Sequence, residues 1–106
     1  MQECGIVFMT ASSNEEADKI ASTLVENKLV ACVNIVSKIV SVYWWEGKIC
    51  KDSEVLLIAK TTAALFDSVV QAVTSIHSYK VPEIIFTPIS KGLPDYLNWV
   101  SDVTVK

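Results

Sequence analysis

The sequence predicts an α+β domain of the ferredoxin-like, split βαβ kind. Three observations predict it. Strand-like and helix-like runs alternate in the order β-α-β-β-α-β, followed by a short α-β tail. The middle strands, 31–45 and 48–60, meet at Glu46-Gly47, and a residue–glycine pair between β-rich runs signals a two-residue hairpin. No linker, repeat or low-complexity segment interrupts the order, so the 106 residues read as one domain with one core.

The first strand, Cys4 to Thr10, is almost continuously apolar and suits a central position buried on both faces. Ser13 and Glu16 then form a capping box. Ala17, Ile20, Ala21, Leu24 and Val25 follow at helical spacing, and the helix ends near Asn27-Lys28. Its acids crowd the first turn, where the helix dipole favours them. After the hairpin, Thr61-Thr62 offers a second N-cap for a helix with apolar Leu65, Phe66, Val69, Val70, Val73 and Ile76. That helix should stop around His77, ahead of Pro82, because proline disfavours helical geometry at the preceding residue. Residues 83–89 form a fourth strand, with Pro88 pointing to an edge or terminal position. Pro94 opens a short helix to about Trp99, and Val103-Thr104-Val105 forms a last short strand.

The hairpin is too long for its own domain. Thirteen residues at roughly 3.3 Å each reach about 43 Å, whereas a domain of this size is only about 33 Å across. The projecting end carries Tyr43, Trp44 and Trp45, with Cys50 opposite Tyr43, and a monomer would not leave such a cluster in water. A second observation agrees. In a split βαβ domain both main helices cover one sheet face, and the other face needs a partner. The hairpin therefore reads as an oligomerisation arm, with Tyr43, Trp44 and Trp45 at the interface.

Composition narrows the function. The chain is 51% hydrophobic with a net charge of −3, which gives no general attraction to nucleic acid or anionic membrane. All nine basic residues are lysines, so no guanidinium is present to clamp phosphate or carboxylate. Cys4, Cys32 and Cys50 form no close-spaced motif and are odd in number, which fits reduced thiols. No apolar run reaches transmembrane length and no leader is evident, so a cytosolic location and no membrane insertion are expected. No Ser-His-Asp set, split carboxylate pair or phosphate loop points to an enzyme.

The runs Ala31-Cys32-Val33-Asn34-Ile35, Ser41-x-Tyr43-x-Trp45-x-Gly47-Lys48-Ile49, Ala59-Lys60-Thr61, His77-x-Tyr79-x-Val81-Pro82-Glu83-Ile84 and Tyr96-Leu97-x-Trp99 resemble the CutA family, named for divalent-cation tolerance. The resemblance covers nearly the whole chain. It implies a ferredoxin-like subunit, a tight homotrimer with sheets packed around a three-fold axis, and a link to copper and other divalent metals. No organic cofactor is inferred. In metazoan relatives it implies association with membrane-anchored acetylcholinesterase, and in architecture the family looks like the PII signalling trimers. Of the metal-ligand positions proposed for the family, one is Met9 here in place of cysteine. The paired histidines reduce to His77 preceded by Ile76, and Ser78 replaces the following proline.

The candidate metal set is therefore His77, Cys32 and Met9, with convergence of symmetry copies supplying the missing ligands. Plainer roles fit the same residues: a dipole partner at a helix end for His77, a small buried hydrophobe for Cys32. Lys60, Tyr79 and Glu83 stand at element ends, either lining an inter-subunit ligand cleft or, for Lys60 and Glu83, forming an ion pair. The leading expectation is a homotrimer that binds divalent metal, copper in particular, and acts in metal tolerance. The alternatives are a PII-like regulatory trimer with a small molecule in its clefts, and a trimeric scaffold for protein partners.

Overall fold

The computed structural model describes residues 3–106. Strand β1 (Cys4–Ala11) leads to helix α1 (Asn14–Glu26), strands β2 (Cys32–Trp45) and β3 (Lys48–Thr62), and helix α2 (Phe66–Thr74). Strand β4 (Ile84–Pro88) and helix α3 (Pro94–Val103) complete the chain. The four strands form one antiparallel sheet in the order β2-β3-β1-β4. This is the ferredoxin-like, split βαβ α+β fold that the element order predicts.

Period-two alternation divides the sheet into two unlike faces. Val7, Met9 and Ala11 of β1 and Val55, Leu57 and Ala59 of β3 are buried against Ala17, Ile20 and Leu24 of α1 and Val69 and Val73 of α2. On the opposite face Ile6 and Phe8 are only half-buried, because no main helix covers them. Helix α3 covers one end of that second face. There the Leu97 carbonyl accepts from the Cys4 thiol at 3.6 Å, and the Tyr96 hydroxyl lies 3.6 Å from the Cys32 sulfur.

The hairpin closes as expected. Glu46 (φ 49°) and Gly47 (φ 79°) both take left-handed backbone, the conformation of a type I′ turn. Tyr43 pairs with Cys50 and Trp45 with Lys48. The molecule extends 44 Å along its longest axis against 26 and 22 Å across, so the arm does project. A bulge at Ser37-Lys38 shifts the register between Val36 and Ile39, with Lys38 at φ 61°. Strand alternation also separates the aromatic residues. Tyr43 and Trp45 share a face with Glu54, and Trp44 turns to the other face with Val40, Val42 and Ile49.

Four local expectations need correction. Helix α2 ends at Thr74 instead of reaching His77, because the Thr74 and Ser75 hydroxyls bond back to the Val70 and Ala72 carbonyls at 2.8 Å. Its start is a 3-10 turn at Ala63–Leu65; Thr62 holds the N-cap position but makes no side-chain cap bond, and Thr61 Oγ1 donates to the Leu29 carbonyl instead. Helix α3 runs on to Val103, past Trp99. The expected last strand is absent. Thr104 is buried and its hydroxyl donates to the Val100 carbonyl at 3.0 Å, while the Val105 amide bonds Lys28 at 2.9 Å, which ties the tail to the end of α1.

Candidate functional site: a cleft beside the hairpin

Between α2 and β4 the chain bends through Ser78 to Val81 on its way to Glu83, and two side chains fix its path. The His77 side chain is fully buried. Its Nδ1 accepts the Tyr79 backbone N–H at 3.0 Å, so the proton sits on Nε2, which donates to the Thr10 carbonyl at 2.8 Å. The second fixing residue is Glu16. One carboxylate oxygen accepts from the Ser12 amide and hydroxyl, both at 2.9 Å, and the other accepts from the Ser78 amide at 2.7 Å. The Ser13 hydroxyl caps α1 as predicted, accepting from the Glu16 amide at 3.1 Å. The Glu16 side chain does not complete the box; it joins the turn between β1 and α1 to the segment after α2. Partial burial works against its charge, but the hydrogen bonds from Ser12 and Ser78 outweigh burial and hold the carboxyl at about 2.

This bracket delivers Tyr79 to the second sheet face. The Tyr79 ring lies 4.8 Å from the His77 ring, and its hydroxyl donates to Glu54 at 2.6 Å. Burial, then the Glu54 hydrogen bond, pushes the phenol well above its ordinary range. Glu83 is also pushed up, by burial and then by the charge of Glu54. Tyr43 donates to Asp52 across the hairpin, and that bond leads the causes that raise its phenol to about 12. Together the hairpin and the 78–83 segment enclose an open cleft of about 830 Å³, whose walls include Tyr43, Trp45, Glu54, Tyr79, Lys80 and Glu83.

The predicted residues distribute unevenly about this cleft. Tyr79 and Glu83 line it, as do Tyr43 and Trp45. Lys60 does not: it pairs with Cys32 and Ile6, six residues along β3 from Glu54, and its ammonium donates to Asn34. Among the described residues Lys60 and Glu83 form no ion pair. Met9 is wholly buried in the core between sheet and helices. Cys32 stands against Tyr96, whose hydrogen bond to that thiol raises the phenol to about 12.

The donor set does not fit a closed divalent-cation site within one chain. Both imidazole nitrogens of His77 are already engaged, and the Met9 thioether faces the core. Among the described residues no three His, Cys, Asp or Glu side chains group to hold an ion. Sequence reasoning overlooked Glu16, Glu54 and Thr10. Glu54 left a signal, because it keeps the alternation of the apolar Leu56 and Ile58. Glu16 left none beyond its cap, since its bond to Ser78 spans 62 residues.

The family model of the CutA1 divalent ion tolerance proteins matches residues 5–103. This chain belongs to the CutA1 family. The divalent-cation tolerance protein CutA of Thermus thermophilus is 43% identical over 99 residues, covering 93% of this chain and 96% of the relative. Protein CutA of mouse is 44% identical over 97 residues, which is 92% of this chain but 55% of the mouse protein. The chain thus spans about half of that relative's length. The crystal structure of CutA1 from Oryza sativa superposes with a TM-score of 0.96 at 42% identity, covering 99% of this chain and 96% of that one.

The same comparisons correct the cytosolic expectation. CutA1 relatives from rice and Arabidopsis thaliana are named chloroplastic, and the Archaeoglobus fulgidus structure is described as periplasmic. Thiol content and chain composition report on the domain's folding, not on the compartment to which it is delivered.

Proposed function

We propose that this protein works as a homotrimer that binds divalent cations, copper among them, and serves divalent-cation tolerance without catalysing a reaction. One observation carries the assembly. On the projecting hairpin Val40, Val42, Ile49 and Trp44 form one stripe, each more than 60% exposed, on the sheet face that carries Val55 and Leu57, and the second sheet face is only half-covered as well. So much exposed apolar surface, on both faces, needs another chain to cover it. Family membership supports the cation reading. Because the described residues of one chain group no complete ligand set, the reading puts the cation between copies, with His77 and Cys32 as the residues to test.

Light scattering on metal-free protein at micromolar concentration tests the assembly; a mass equal to the 11.7 kDa monomer would refute it. Copper titration then tests the site. Binding should be modest, since His77 must release Thr10 or Tyr79 before it can ligate. His77→Ala and Cys32→Ser should each lower Cu(II) binding without changing trimer mass. Copper bound equally by both variants removes them from the site.

A second reading rests on the cleft. Its volume of about 830 Å³ and its mixture of aromatic and charged walls suit a small molecule, as in a regulatory trimer.

A further inference from the structure

The cleft holds a carboxylate with no counter-charge. Glu54 is only 9% exposed. Among the described residues no lysine lies close enough to a carboxylate to pair with it, so none neutralises Glu54. Lys80 lines the same cleft yet pairs with neither acid there. The Tyr79 hydroxyl that bonds Glu54 is a neutral donor. Removing a carboxylate from water without a cation is costly. Glu83 stands on the same cleft and feels the charge of Glu54, so a cation placed between them relieves both.

The walls select the kind of cation. The rings of Tyr43, Trp45 and Tyr79 line the cleft beside the two acids, and aromatic faces attract ammonium groups. A bare divalent ion wants six or more oxygen ligands or a compact tetrahedral set. No three-ligand group stands among the described residues, and the space is far larger than an ion requires.

We propose that this cleft receives an organic ammonium group, seated between Glu54 and Glu83 and against Tyr43, Trp45 and Tyr79. The proposal rests on the reading of the cleft as a ligand site and names the ligand's chemistry. Two sources supply such a group: a free alkylamine, or a lysine of a second copy of this chain, whose basic residues are all lysines.

Putrescine titrated into the assembled protein, followed by calorimetry and tryptophan fluorescence, tests the first source. Saturable binding is expected. Glu54→Gln keeps an acceptor for Tyr79 but removes the charge, and should weaken binding about tenfold or more. Glu83→Gln, at an exposed position, should weaken it as well and replaces the first variant should that one fail to fold. For the second source, a mixture of ¹⁴N- and ¹⁵N-labelled protein is treated with carbodiimide and mapped by mass spectrometry. A link from Glu54 or Glu83 to a lysine of the other isotope shows that a second copy fills the cleft. Absence of both putrescine binding and such links overturns the proposal. Citrate serves as an anionic probe: if it binds at the cleft while both ammonium arms fail, the cleft remains a ligand site and the ammonium assignment falls. If nothing binds, both fall.

Discussion

Glu16 ties, through one carboxylate, the turn before α1 to the segment after α2. Its carboxyl sits at about 2 when folded, below the ordinary unfolded value of roughly 4.3. The folded state therefore binds this proton less readily than the unfolded state. The stability it contributes is complete above the unfolded value and is lost as pH falls through the folded one. With its partial exposure discounted, the loss between pH 5 and 2 should be on the order of 2 kcal/mol. Urea denaturation across that range should show this acid limb flattened in Glu16→Gln. A limb of unchanged slope would mean that the Ser12 and Ser78 bonds do not survive in solution. Gly5 makes a different demand. A Cβ there would meet the Phe86 ring and lie 2.7 Å from the Thr87 carbonyl, which is backbone and cannot turn aside. Gly5→Ala should cost about 1–3 kcal/mol by overpacking. An unchanged urea midpoint would show that β4 moves away freely.

The hairpin is the element most legible from sequence, because its signals are local: β-branched runs, period-two alternation and a Glu-Gly turn. The central place of β1 was legible in the same way, from its nearly continuous apolar run. What escaped was non-local. The bulge at Ser37-Lys38 carries no glycine to announce it, and the last three residues before Lys106 read as a strand because Val-Thr-Val suits one. The helix running on through Val103, the Thr104 bond to Val100 and the contact of Val105 with Lys28 decide otherwise. For the site, Tyr79 and Glu83 were readable as polar residues at element ends, whereas Lys60 was assigned to the cleft without knowledge of the register that carries it away. The turn yields a prediction. Gly47 is left-handed with open space around it, so Gly47→Ala adds backbone strain alone, about 1–2 kcal/mol. Asparagine tolerates that conformation, and Gly47→Asn should recover most of the loss in the same denaturation assay. Equal melting of both variants with the parent would argue against the I′ turn.

At the scale of the molecule, one chain leaves its longest element without cover. If assembly supplies the cover, apparent stability must depend on protein concentration, because association draws the folded state forward by mass action. The melting temperature should therefore climb across a hundredfold dilution series read from dilute to concentrated. Trp44, the most exposed of the stripe at 71%, is the residue to remove. Trp44→Ala should weaken assembly by about 2–4 kcal/mol if the side chain is an anchor of the interface. Melting independent of concentration in the parent, or an unchanged mass in the variant, would place the assembly surface elsewhere.

The bulge has a bearing on solubility. β2 is an outer strand of the sheet, and fourteen regular residues of unpaired backbone would template pairing with any extended chain nearby. Lys38, left-handed and outside the ladder, breaks that edge near its middle and places a charge there. The opposite edge, β4, is protected by its length of five residues and by Pro88. Deleting Lys38 would restore a continuous edge while keeping Ile39 opposite Glu54. During prolonged incubation near the melting point such a deletion should convert soluble protein into thioflavin-positive fibrils faster than the parent does.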